Sequence, residues 1–78
     1  MIKIKFFGKL RERFGKEIIC NEPFENLEDL FNFLLEKEDA LRKLKEHLLF
    51  SINHRQATLK DKIKDGDEVA IFLAPTGG

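Results

Sequence analysis

Asp65-Gly66-Asp67-Glu68-Val69-Ala70-Ile71-Phe72-Leu73 is the stretch on which the fold turns. Asp65-Gly66-Asp67 is a strong turn signal. Glu68 to Leu73 then reads as a strand, and it is almost wholly apolar. An apolar run without alternation suits a central strand covered on both faces, whereas an edge strand would show a polar side. The first segment of the chain, Met1 to Gly8, is the natural neighbour for it. There Ile2, Ile4 and Phe6 alternate with Lys3 and Lys5, the period of a half-buried strand. If these two strands lie side by side they run parallel, because a long connection through a helix separates them.

Between them the punctuation is clear. Lys9 to Phe14 predicts a helical turn in which Leu10 and Phe14 touch. Gly15 opens a second strand, Lys16 to Asn21, which pairs antiparallel with the first and ends before Pro23. Asn26 is a helix N-cap, and Asp29 completes an imperfect capping box. Leu27, Leu30, Phe31 and Leu34 follow the i, i+3, i+4, i+7 spacing of one apolar stripe. Glu28 and Asp29 suit the start of that helix and Lys37 its end. Phe33 lies off the stripe and is expected to pack under the segment that follows. Glu38 to Glu46, with Leu41, Leu44 and Leu48 at helical spacing, predicts a second, shorter helix with a solvated charged face. Leu48 to Asn53 is a third strand, Asn53 to Gln56 a polar turn, and Ala57 to Leu59 a brief strand. Lys60 to Lys64 is a connector anchored by Leu59 and Ile63.

The order of elements is that of an α+β domain: one mixed sheet with a main helix on one face and a second short helix. Residues 1–73 form the domain and 74–78 a tail. At 78 residues the chain is one domain, and folding buries only roughly 60–65% of its surface. Eight Phe and the Leu and Ile runs supply the core. Fourteen acidic residues balance fourteen basic ones, which argues against a nucleic-acid partner. No apolar run is long enough for a membrane span, and Met1-Ile2-Lys3-Ile4 is no secretory signal. A cytoplasmic location is the simplest expectation. Cys20, the one cysteine, reads as a half-buried apolar residue of a strand. His47 and His54 have no partners at metal-ligand spacing, so no metal site is expected.

Two features point to function. Pro75-Thr76-Gly77-Gly78 follows the last strand, and Pro75 stops strand pairing. A Gly-Gly end has no Cβ and fits a channel too narrow for other residues, which leaves the Gly78 carboxylate free to react in a partner's site. By itself such an end is more often a frayed terminus. The second feature is Phe7, which falls on the face of Lys3 and Lys5. Phe72 falls on the same face if Val69 and Ile71 point at the helix. The two rings then meet on adjacent strands near the point where the tail leaves. With Leu59 they are candidate partner-binding residues. The alternative is that the Leu59–Ile63 connector covers both rings.

Ile2-Lys3-Ile4-Lys5-Phe6-Phe7-Gly8, Arg11-Glu12, Gly15, Ile52-Asn53 and Asp65 to Phe72, followed by Pro75-Thr76-Gly77-Gly78, resemble the ubiquitin-like, β-grasp sulfur carriers of the MoaD/ThiS family. The likeness is strongest to the MoaD type, the small subunit of molybdopterin synthase, and covers the whole chain. One departure is that members often carry two prolines before the tail, where Leu73-Ala74-Pro75 has one. The resemblance implies a β-grasp fold and a carrier cycle. An activating enzyme related to those of ubiquitin adenylates the Gly78 carboxylate with ATP, and a sulfur donor converts it to a thiocarboxylate. The tail then enters the large subunit of molybdopterin synthase, where the sulfur goes to a pterin precursor and forms the dithiolene of the molybdenum cofactor. On this reading Cys20 carries no sulfur, no cofactor is tightly bound, and catalytic residues belong to the large subunit. Sulfur carriage for thiamine or tRNA thiolation, conjugation of Gly78 to target lysines as a modifier, and an inert interaction module are the alternatives.

Overall fold

The computed structural model describes residues 1–74. Five strands form one mixed sheet in the order β2-β1-β5-β3-β4. They are β1 (Ile2–Phe6), β2 (Glu17–Cys20), β3 (Leu48–Ile52), β4 (Arg55–Ala57) and β5 (Glu68–Leu73). β5 is central, as its apolar run predicts, and runs parallel to β1 and antiparallel to β3. β1 and β2 are antiparallel, joined by the short helix α1 (Lys9–Phe14). The chain has the α+β, β-grasp architecture.

The main helix, α2 (Leu27–Lys37), lies on one face. Its stripe of Leu27, Leu30, Phe31, Leu34 and Leu35 is buried against Ile2, Ile4, Phe6, Phe50, Val69 and Ile71. Phe31 meets Phe50 edge-to-face, with ring centroids 5.5 Å apart. The start of α2 explains the connector. A helix begins with four N–H groups that have no partner in the helix. Here Leu27 N–H donates to the Asp61 carbonyl and Glu28 N–H to the Leu59 carbonyl, both at 2.9 Å. Asp29 N–H donates to Asn26 Oδ1 at 2.9 Å, and the helix's own ladder starts with Leu30 N–H on the Asn26 carbonyl. The connector is therefore stitched to the helix start, with Ile63 as its buried anchor.

Four expectations need correction. Residues Asp39–His47 form a 3-10 helix. With three residues per turn it stacks Leu41 over Leu44, burying the first fully and the second partly, while Leu48 leaves to start β3. Phe33 packs on the preceding segment, with its ring 5.4 Å from that of Phe24. The hairpin turn is shorter than its polar composition suggests. Asn53 and His54 both take positive φ, 50° and 70°, the signature of a two-residue turn. β4 therefore begins at Arg55, opposite Ile52, and Thr58–Leu59 lies beyond it. Finally, β5 is covered by a helix on one face only: Glu68 and Phe72, on the other face, are partly exposed.

The strained turn is held by a polar clamp. Asn53 Oδ1 accepts from Glu68 N–H at 3.0 Å, and Asn53 Nδ2 donates to Asp67 Oδ1 at 2.9 Å. Asp67, buried among the core residues, accepts from Lys64 N–H with its other oxygen. The turn before β5 and the turn after β3 are thus locked together. This places β5 in its slot, and the end of β5 is where the functional reading begins.

Candidate functional site

The site is the open sheet face at the C-terminal end of β5. Strand alternation assigns the side chains. Phe6 points at α2 and is 2% exposed, so Phe7, next in the chain, points the other way and is 39% exposed. Phe7 N–H donates to the Ile71 carbonyl at 3.2 Å, which sets Phe7 beside Phe72. The two rings stack, with centroids 4.8 Å apart and planes 13° from parallel. On the other side of Phe72 the register places Leu49 of β3, itself 44% exposed. Phe7, Phe72 and Leu49 thus form an apolar row across three strands. Leu49 carried no signal in the sequence, because Leu48-Leu49-Phe50 shows no alternation. Only its register against Phe72 reveals it.

The rest of this face is polar. The next row is Lys5, Ala70 and Ser51. Beyond it Lys5 Nζ lies 3.2 Å from Glu68 Oε1, and His54 Nε2 lies 3.3 Å from Glu68 Oε2. The hydrogen bond from Lys5, opposed by partial desolvation and aided by the charges of Lys5, His54 and Lys3, holds the Glu68 carboxyl below its ordinary value of 4.5. The face is therefore an apolar row at the exit of β5 with a charged border at the far end, the pattern of a protein-docking surface.

The structure brings Phe7 and Phe72 together and leaves both uncovered by the Leu59–Ile63 connector. Leu59 does not join them: it packs against the core, and its carbonyl serves the start of α2. Ala74 N–H donates to the His47 carbonyl at 2.6 Å, so the chain stays tied to the sheet one residue past β5. Pro75, Thr76, Gly77 and Gly78 lie outside the described residues. Cys20 is buried. Among the described residues no group of three or more His, Cys, Asp or Glu is arranged to hold a metal, and no helix is long and apolar enough to cross a membrane.

Comparison with known proteins gives this geometry a family. The molybdopterin synthase sulfur carrier subunit of Haemophilus influenzae is 36% identical over 81 residues, covering all of both chains. The protein of the same name from Escherichia coli is 33% identical over 81 residues, again covering both completely. Among solved structures, small archaeal modifier protein 1 from Methanosarcina acetivorans superposes with a TM-score of 0.82 at 25% identity, covering 99% of this chain and 95% of that one. The complex of subunits 1 and 2 of molybdopterin-converting factor from Helicobacter pylori contains a chain of the same fold. It matches with a TM-score of 0.69 at 20% identity, over 99% of this chain and 97% of that one. A sequence profile of the ThiS family matches residues 4–78, all but the first three residues, and the chain belongs to that family.

Proposed function

We propose that this chain is a sulfur carrier, the small subunit of a molybdopterin synthase. The observation that carries the reading is the end-to-end match to relatives bearing that name, at 33–36% identity. A fold neighbour solved as a complex of two converting-factor subunits supports a large-subunit partner. The chemistry follows from the tail. A carboxylate is a poor electrophile, so an adenylyltransferase first joins the Gly78 carboxylate to the α-phosphate of ATP and releases pyrophosphate. A sulfur donor then displaces AMP, leaving a thiocarboxylate. In the large subunit that sulfur passes to a pterin precursor and hydrolysis returns the Gly78 carboxylate; a dithiolene holds two sulfurs, so two charged tails each deliver one. The cycle runs in the cytoplasm.

Each part of the domain has a role in this reading. β5 is gripped on both sides and aims the tail, and the row of Phe7, Phe72 and Leu49 beside its exit docks on the partner. Gly77 and Gly78 thread the narrow active-site channel, and Thr76 and Pro75 span the distance to it. Catalytic side chains belong to the enzymes that the tail visits.

The test is an intact mass spectrum after incubation with ATP, a sulfide source and a candidate adenylyltransferase. The expected result is a mass gain equal to one sulfur replacing one oxygen, mapped to Gly78. No gain, with a known carrier modified in parallel, overturns the proposal. A second reading is conjugation to lysines, favoured by the superposition on an archaeal modifier protein. An immunoblot of host lysate separates the two: a modifier gives a ladder of conjugates and a carrier a single band.

A further inference from the structure

Among the described residues two exposed large apolar side chains lie outside the docking row, Met1 at the start of the chain and Ile19 on edge strand β2, and Ile19 is the one that sits within a strand. It is 53% exposed and sits opposite Lys3 in the register, on the open face. One row, that of Lys5, separates it from the row of Phe7. Edge strands are templates for pairing, and proteins usually guard them with inward-pointing charges, prolines or bulges. The two sheet edges differ here. At β4 only Gln56 directs its backbone groups outward, since Ile52 and Arg55 close the two-residue hairpin, and the next N–H, that of Thr58, is taken by Asp61 Oδ2 at 2.7 Å. β2 is short and begins with the exposed Glu17, but within its four residues it has no proline and no inward-pointing charge, since Ile18 and Cys20 point inward.

The backbone phase of β2 is fixed by one hydrogen bond, from Phe6 N–H to the Lys16 carbonyl at 3.0 Å. Antiparallel pairs alternate between bonded and non-bonded. Lys16, Ile18 and Cys20 therefore turn their amides toward β1, and Glu17, Ile19 and Asn21 turn theirs outward. This set is self-complementary. About a two-fold axis at Ile19, each Ile19 exchanges both bonds with its counterpart, and Glu17 does so with Asn21. Lys16 and Glu22 flank β2 on either side, and continuing the same register beyond the strand brings them opposite each other, twice by symmetry.

We infer that the free edge of β2 pairs antiparallel with the same edge of a second copy of this chain, centred on Ile19. The axis is perpendicular to the sheet, so both copies present the row of Phe7, Phe72 and Leu49 on one face and both tails stay free. The pairing and the carrier role are therefore compatible, and the inference stands without the functional proposal. An edge this short buries well under the roughly 800 Å² per partner of a standard interface. The dimer is correspondingly weak, with a dissociation constant between about 1 µM and 1 mM.

Sedimentation equilibrium of the full chain across that concentration range tests it. The expected result is a concentration-dependent monomer–dimer equilibrium. Ile19→Lys weakens it at least tenfold without changing the circular dichroism spectrum, because Ile19 is outside the core. Lys16→Glu and Glu22→Lys each weaken it, and the double exchange restores it. A protein that stays monomeric to about 1 mM overturns the inference. A dimer indifferent to Ile19→Lys, or not restored by the double exchange, places the contact elsewhere and also overturns it.

Discussion

Phe6 and Phe7 are consecutive phenylalanines with opposite fates, and replacing each by alanine separates folding from docking. Phe6 is 2% exposed and packed in the core beside Phe14, 5.7 Å away between ring centroids. Removing a buried Phe side chain costs about 3–5 kcal/mol. For a domain of this size that lowers the thermal midpoint by roughly 12 °C or more. Phe7 is 39% exposed, and its main contact is the stack on Phe72. Such a pair contributes about 0.5–1.5 kcal/mol beyond area burial, so Phe7→Ala costs about 1–2 kcal/mol in stability. If the row docks on a large subunit, the ring becomes buried at the interface centre, where truncation costs about 2 kcal/mol or more, near 30-fold in affinity. Urea unfolding gives the first quantity, and titration calorimetry with purified large subunit gives the second. The expected result is an order of effects that reverses between the assays: Phe6→Ala dominates in unfolding, and Phe7→Ala dominates in binding among the variants that remain folded. If Phe7→Ala unfolds the domain as severely as Phe6→Ala, or leaves affinity within about threefold, the assignment of the row as a docking surface is wrong.

Further measurements probe the scaffold that presents this row. Leu41→Ala removes a fully buried side chain of the 3-10 helix and should cost about 2–5 kcal/mol in urea unfolding; a cost below about 1 kcal/mol would show that this segment is not core. Asn26→Ala deletes the side-chain cap on Asp29 N–H and should cost about 0.5–2 kcal/mol, with protection of the first-turn amides of α2 in hydrogen exchange falling first. Asn53→Gly keeps the positive φ but removes both arms of the clamp on Glu68 and Asp67; a loss of about 1–3 kcal/mol is expected, whereas no loss would mean that the turn conformation alone sets the register. Glu68 titrates below its ordinary value in the folded state. Its ion pairing therefore contributes stability above pH 4.5, and that contribution fades as pH falls through the lower folded value. Lys5→Met should flatten the stability curve in this acidic range and leave it nearly unchanged in shape at neutral pH.

Much of the architecture is legible in residue order because several local signals agree. The apolar run Val69-Ala70-Ile71 has the composition of a central strand and occupies one. Ile2, Ile4 and Phe6 alternate, and all three are buried. Asn26 reads as a cap and accepts the bond that a cap should accept. Where the local signals are silent or divided, tertiary packing decides the outcome. Asn53-His54-Arg55-Gln56 is uniformly polar, so composition could not show that the chain reverses within the first two of them. That depends on positive φ at Asn53 and His54, held by Asp67, fourteen residues away in the chain. Leu41, Leu44 and Leu48 fit an α-helical period, but the strand that begins at Leu48 claims the last of them.

The candidate site divides in the same way. Chemistry that resides in residue type, the Gly77-Gly78 end after Pro75, is written in the chain itself, because the absence of a Cβ and of an N–H needs no tertiary context to matter. Phe7 could be picked out by parity, since a strand assigns every second side chain to one face. Parity has no means of saying which residues of other strands lie beside it. Leu49 and the ion pairs of Glu68 come from the register between β1, β5 and β3, which long-range packing decides by placing Phe50, Val69 and Ile71 under α2. The same limit applies to β2: its outward amides follow from a single cross-strand bond to Phe6, and that bond exists only once the sheet has formed.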